Sequence, residues 1–251
     1  MNINAPEITD IKELRTLWKE AFSDTDEFLD MFFSTAFSAE RSFCIKENNE
    51  VTAALHYFDC LYKDEKIAYI YAVATKKSHR GQGLCRKLMD YTHNALKTSG
   101  CKGAILVPGS ASLFDFYEKM GYKTCCYLSK REFRKGESCE PVQKISADDY
   151  ALLRREHLPC SAVIQEGKNL SFLSTYAEFY KGEDFLFTAS KEDQTLICHE
   201  FLGNIKKAPG IIKALNLEKG RLRTIGSDTP FAMYLPFEGK DYPDYFSFAF
   251  D

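Results

Sequence analysis

Between Ile67 and Tyr122 an apolar strand pattern runs into a basic loop with two glycines. A helical pattern, a second apolar stretch and an aromatic helix follow. The central residues are Val73-Ala74-Thr75, then His79-Arg80-Gly81-Gln82-Gly83-Leu84, and later Phe116-Tyr117-Glu118-Lys119-Met120-Gly121-Tyr122. A strand that enters a glycine loop and then a helix is a device for holding phosphate. The loop leaves backbone N–H groups free, and the helix N-terminus adds a partial positive charge. The order strand, helix, strand, helix also commits the chain to an α/β architecture around a mixed sheet.

Bulk properties narrow the partners. The 251 residues carry a formal charge of −3, with 45% apolar and 27% charged side chains. No global basic field exists to attract nucleic acid or an anionic membrane, so neither is expected as a partner. The nine cysteines are odd in number and show no C-x-x-C spacing, so neither a disulfide framework nor a metal site is expected. The Met1 region lacks the apolar core of a signal peptide, and no run reaches a membrane span. Cytoplasm is the expected compartment.

Periodicity sets the rest of the organisation. Ile11, Leu14, Leu17, Trp18 and Phe22 predict a first helix over 8–22, and a second, apolar on most sides, runs from Glu27 to Phe37. Phe43–Lys46 and Val51–Cys60 read as a hairpin, followed by a strand over Ile67–Thr75. A helix over 82–97, a strand over Ala104–Val107, a helix over Ala111–Met120 and a strand over Cys125–Arg134 complete the pattern. Lys135-Gly136-Glu137-Ser138 is the expected boundary, giving domains 1–135 and 136–251. Beyond it the expected elements are strand 142–145, helices 147–158 and 170–180, a hairpin over 185–190 and 195–202, and a helix over 209–217. Strands over 222–225, 231–236 and 245–250 close the chain.

Three phosphate devices compete for the loop. In the Gly103–Gly109 stretch Ser110 stands where a P-loop requires lysine, and the spacing is too long. A dinucleotide fingerprint fails because Arg86 occupies the place of its third glycine. The third is a coenzyme A loop. Arg80-Gly81-Gln82-Gly83-Leu84-Cys85, followed downstream by Phe116-Tyr117-Glu118-Lys119-Met120-Gly121-Tyr122, resembles the GNAT family of N-acetyltransferases over residues 8–134. Cys85 stands where that family usually has glycine or alanine, and Ser110 where it often has asparagine. Ala72-Val73-Ala74-Thr75 with His79-Arg80-Gly81 is most similar to Eis-type members, which also carry a second GNAT-like unit. In this chain strand–helix–helix–hairpin recurs over 136–251 without a glycine loop, as in a degenerate copy of the first unit.

The resemblance implies a GNAT fold followed by a smaller GNAT-like α/β unit, with acetyl-CoA as cosubstrate and a small-molecule or peptide amine as acceptor. The two parallel strands would splay to admit the coenzyme. Val73, Ala74 and Thr75 would pair with the pantetheine arm as an added strand would. The pyrophosphate would meet the backbone of Gly81, Gln82, Gly83, Leu84, Cys85 and Arg86, while Arg80 would attract the adenosine 3′-phosphate. Ser112, in the first turn of the later helix, joins the cofactor-binding set. Tyr117 would be the general acid for the departing thiolate, although Leu113, Phe116, Tyr117 and Met120 also form one apolar helix face. Asp251, the last residue, is a second catalytic candidate by its likeness to the Eis C-terminal carboxylate. No carboxylate on strand 67–74 presents itself as a base. Lys76 and Lys77 divide evenly between phosphate attraction and solvation of a turn. His56 reads as structural, and Tyr69 and Tyr71 share a strand face that suits an acceptor pocket. A non-catalytic acyl-CoA sensor is the alternative from another class.

Overall fold

A computed structural model of the chain describes residues 2–48 and 50–250. Helix α1 (Ile11–Phe22) buries Leu14, Leu17 and Trp18 on one stripe and ends at Ser23, which takes a left-handed φ of 63°. Thr25 caps α2 (Asp26–Met31) by accepting the Phe28 N–H at 3.3 Å. The expected long second helix stops there. It widens into a π-helical turn over Phe32–Ala36, which leads to Phe37.

The chain divides into two compact units. One comprises Met1–Lys123 with Met233–Asp241, the other Thr124–Ala232 with Tyr242–Asp251. In the first unit the strands are β1 (Asn2–Asn4), β2 (Ser42–Glu47), β3 (Glu50–Tyr62), β4 (Glu65–Thr75) and β5 (Gly103–Leu106). The first four pair antiparallel in chain order, whereas β4 and β5 are parallel through Ala68–Ala104, Tyr69–Ile105 and Ile70–Leu106. The segment Met233–Pro236 returns to pair antiparallel with β5. Helices α3 (Leu84–Thr98) and α4 (Ala111–Glu118) complete the unit.

Strand alternation assigns the two faces. Ile45, Ala53, Leu55, Ala68 and Ile70 pack with Leu84, Leu88, Met89 and Leu96 of α3. Each fully buried Ile, Leu or Met among them contributes about 1.5–3 kcal/mol. On the other face Cys44, Ala54 and Ala74 pack against Leu14 and Leu17 of α1.

In the second unit β6 (Lys123–Arg134) pairs with β11 (Lys219–Ile225), and β11 runs parallel to β10 (Thr195–Gly203). Antiparallel neighbours β9 (Phe185–Glu192), β8 (Glu178–Lys181) and β7 (Gln143–Ile145) follow. Helices α5 (Ala147–His157) and α7 (Ala208–Ala214) pack on this sheet, α6 (Lys168–Leu173) packs on α5, and β12 (Thr229–Pro236) leads back to the first unit.

Two expectations are corrected here. The helix read over Leu170–Tyr180 ends at Leu173, and Glu178–Lys181 is strand. Phe179 packs on Tyr150 at 4.8 Å and Tyr180 on Phe187 at 4.9 Å, so neighbouring aromatics point to opposite faces as a strand demands. The strand read over Tyr245–Phe250 makes only one parallel bridge, Tyr245 to Ala162. Its backbone is held by a side chain instead. The Gln165 amide donates to the Phe248 carbonyl at 2.9 Å and accepts the Phe248 N–H at 3.0 Å.

Candidate active site

Between β4 and α3 the loop is tied down at its base. The Arg80 Nε–H donates to the Thr75 carbonyl at 3.1 Å, and the Lys77 N–H donates to the Glu20 carboxylate of α1. Gly81 and Gly83 both take a φ of 77°, a conformation that glycine adopts without strain. A Cβ at either position would meet nothing within 4 Å, so the loop faces open space. Gly83 is the N-cap of α3, whose first N–H groups have no intrahelical partner. Leu84 behind it is fully buried and anchors the turn.

The departures from glycine chemistry have structural roles. Cys85 is half-buried against the α3 core, and burial pushes its thiol up to about 11, so it is a packing group and not a thiolate. The Arg86 guanidinium donates to the Lys119 carbonyl at 3.1 Å, closing the end of α4. Of the basic residues before the loop, Lys76 pairs with Glu50, while His79 lies 3.9 Å from Glu47.

Beside the loop the parallel strands part. Pairing of β4 with β5 ends at Ile70 and Leu106, although β4 continues to Thr75 along β3. The β3–β4 register slips there, so that Ala72 and Val73 together stand opposite Leu55. Ala72 takes a φ of 52°, a strained value for alanine. The bulge leaves Val73, Ala74 and Thr75 with a β5-side edge that β5 does not cover.

Tyr117 lies on α4 in the same core cluster as Val73, Cys85, Leu113 and Phe116. Its ring contacts Phe116 at 5.3 Å and Tyr122 at 5.9 Å, and only 7% of the residue is exposed. Burial, with the Cys85 thiol nearby, lifts its hydroxyl well above the ordinary tyrosine value. Ser112 is exposed at the start of α4, its hydroxyl 3.1 Å from that of Ser110. Asp251 lies outside the described residues.

On the opposite face of the same sheet, an apolar cavity of about 30 Å³ is lined by Leu14, Leu17 and Trp18 of α1, by Phe32, Phe33 and Phe37, and by Ser42, His56 and Ala72. Its walls interlock, with Trp18 to Phe32 at 4.5 Å and Phe33 to Phe37 at 5.0 Å between ring centres. Tyr71 joins the same aromatic cluster at 5.7 Å from Trp18, whereas Tyr69 is buried against Phe58. The cavity and the glycine loop are joined through β4, because Ala72 of the bulge is one of the cavity's walls.

Residues 2–125 match the family described as Acetyltransferase (GNAT) domain. Through these residues the chain belongs to the GNAT family.

Solved GNAT structures extend the likeness beyond that segment. A GCN5-related N-acetyltransferase from Anabaena variabilis ATCC 29413 superposes with a TM-score of 0.71 at 12% identity. The match covers 93% of this chain and 72% of that one. A GCN5-related N-acetyltransferase from Kribbella flavida gives 0.69 at 14%, over 93% and 70%. Eis1 from Mycobacterium abscessus gives 0.65 at 10%, over 88% of this chain and 65% of its own. At these identities the likeness is one of fold. No curated protein matches the sequence.

Within this GNAT domain Val73 of the strand end, Leu84 and Cys85 of the loop and Tyr117 share one core cluster, whereas Ala74 packs on the α1 face. Coenzyme A suits the residues present, since both glycines are bare towards open space and the β4 edge is uncovered. Reading the sequence missed Trp18, Phe32, Phe33, Phe37 and Ser42 as cavity walls. The available signal was the aromatic content of 28–37, too apolar for a surface helix. Among the described residues, no helix is long and apolar enough to cross a membrane.

Proposed function

We propose that this protein is an N-acyltransferase that moves an acetyl group from acetyl-CoA to an amine on a small molecule or peptide. The observation that carries this reading is the open glycine loop at the head of α3 beside a β4 edge that β5 has left. The pantetheine amides of the coenzyme would pair with Val73, Ala74 and Thr75. Its pyrophosphate would meet the backbone N–H groups of Gly81, Gln82, Gly83, Leu84, Cys85 and Arg86. Arg80 would take the 3′-phosphate, with Ser112 adding a hydroxyl. Acetyl-CoA supplies the activated acyl group, and the amine attacks it directly.

In this reading the Val73 N–H at the bulge polarises the thioester carbonyl, and the Tyr117 hydroxyl serves the departing sulfur. A thiol titrates near ~8.5 and an ordinary tyrosine near ~10. Burial widens that gap for Tyr117, so it acts as a hydrogen-bond donor whose proton follows only as the C–S bond breaks. The same burial keeps the hydroxyl protonated at any physiological pH.

The test is release of free coenzyme A thiol from acetyl-CoA in the presence of polyamines, aminoglycosides, amino acids and peptide N-termini. Amine-dependent release that Tyr117→Phe suppresses supports the reading. A coenzyme-induced rise in melting temperature with no amine-dependent release indicates the second reading, a non-catalytic acyl-CoA sensor. That reading draws on the lack of a carboxylate on Ile67–Ala74. Truncation before Asp251 tests whether the terminal carboxylates take part. Unchanged turnover removes them from the mechanism.

A further inference from the structure

One exposed face of the second unit's sheet carries its charges in an arrangement that works against its own stability. The register of β6 and β11 sets Lys130 opposite Arg223, Glu132 opposite Arg221 and Arg134 opposite Lys219. Alternate residues of a strand share a face, so all six lie on one side. Phe133 and Leu222, which alternate with them, pack on the other side with Ile211 and Ile212 of α7. Directly opposite side chains on antiparallel strands stand about 5 Å apart at Cβ, and like charges there repel. Two of the three pairs set cation against cation. Five of the six residues are exposed, and Arg223 is half-buried with its guanidinium 5.8 Å from the Phe231 ring.

Neighbouring strands do not neutralise the patch. On β10 Thr195 and Ile197 stand beside Lys219 and Arg221, and on β9 Glu192 and Ser190 stand beside those. Glu192 reaches Arg221 at 3.4 Å, an exposed pair that contributes little. At the rim Lys135 and Glu218 pair with each other. Among the described residues, no ion pair engages Lys130, Arg134 or Lys219. Five cations and two carboxylates thus share one patch of a chain whose formal charge is −3.

An anionic partner turns this repulsion into attraction. The pattern says which kind. Glu132 stands between the two cation pairs, so a polymer of continuous negative charge, such as nucleic acid, would meet a carboxylate at the centre. Nor does the face offer an exposed ring for bases to stack on. Thr195, Ile197 and Ser190 fill the rest of it, and Phe231 is buried. A peptide can leave the central place uncharged. Lys130 and Arg134 are four residues apart in one strand, about 13 Å, and an extended peptide repeats that spacing on one of its own faces.

We infer that this face docks an acidic segment of another protein in extended form, with a carboxylate at every fourth residue and uncharged residues between. The inference does not depend on the acyltransferase reading above.

Fluorescence anisotropy with the full chain at low salt tests it. Three labelled probes are compared. One is an N-acetylated peptide with glutamate at every fourth position and serine elsewhere. The second is its isomer with the same glutamates in one run, and the third is duplex DNA of mixed sequence. The spaced peptide is expected to bind about tenfold tighter than either of the others, and Lys219→Glu to weaken it about tenfold. That variant turns a like-charge pair with Arg134 into an opposite-charge one, so its melting temperature should not fall. Lost binding in it is then lost docking and not unfolding. Glu132→Gln, which removes the central carboxylate, should tighten the isomer and narrow its gap to the spaced peptide. No binding of the spaced peptide, equal binding of its isomer, or tighter binding of DNA overturns the inference. So does an unchanged affinity or a lower melting temperature in Lys219→Glu.

Discussion

Glu200 is completely enclosed, yet its carboxylate accepts five hydrogen bonds from Tyr150, Arg154, Tyr245 and Ser247. Burial alone would raise its pKa. The Arg154 guanidinium, with the Ser247 and Tyr150 hydroxyls, outweighs burial and holds the carboxyl below its usual value. A depressed carboxylate contributes stability above the unfolded value of ~4.3 and loses it as pH falls below that. Arg154→Met should destabilise the second unit by about 3–5 kcal/mol, read by urea unfolding of the full chain, because it strands a buried charge. Replacing Glu200 and Arg154 together by apolar residues should cost much less. None of this was legible from the residues alone, since Arg154 and Glu200 look like ordinary surface charges on a helix and a strand. Tyr117 was legible as a residue and its packing face was correct, but the depth of its burial was not. If it serves the leaving sulfur, Tyr117→Phe should lower kcat by about 10²-fold or more while leaving the KM for acetyl-CoA near its starting value, measured by thiol release.

Elements that obey one local rule match the sequence reading closely. Helix α3 was read over 82–97 and runs from Leu84 to Thr98, and the 185–190 and 195–202 hairpin is present as β9 and β10. Gly121, read as a left-handed cap, has a φ of 93°. The failures share a cause. Leu170–Tyr180 contains apolar residues that satisfy a helical period, but Phe179 and Tyr180 each find a buried aromatic partner on opposite faces, and that pairing outweighs helix propensity. The glycine loop belongs to this scale. Gly83→Ala should lower stability by about 1–2 kcal/mol from backbone strain alone, because no neighbour crowds the new methyl group. If coenzyme A lies there, the same change should also shrink the rise in melting temperature that coenzyme A causes. Gly103→Ala is a steric case. The Tyr234 ring occupies the space a Cβ would need, so this variant should lose about 1–3 kcal/mol, seen as a lower melting temperature, without weakening coenzyme binding.

Two buried histidines shape the acid response of the molecule. Burial depresses His56 to about 3 and His93 to about 4, the latter joined to the Tyr122 hydroxyl at 2.8 Å. Both groups bind protons more readily unfolded, near ~6.5, so their contribution is complete above that value and is lost as pH falls towards the folded values. At pH 5 each should remove roughly 2 kcal/mol from the first unit. Melting temperature should therefore fall between pH 7 and 5, and His93→Phe should flatten that slope. The sequence by itself determined the glycine loop, the order of elements in the first unit, and the helix face that carries Tyr117. These follow from φ preferences and short periodicities, which act within a few residues. Only the tertiary structure decided that Met233–Pro236 returns to cover β5 and that Phe32 and Ser42 meet His56. Those outcomes depend on contacts between residues far apart in the chain, and no local rule weighs one such contact against another.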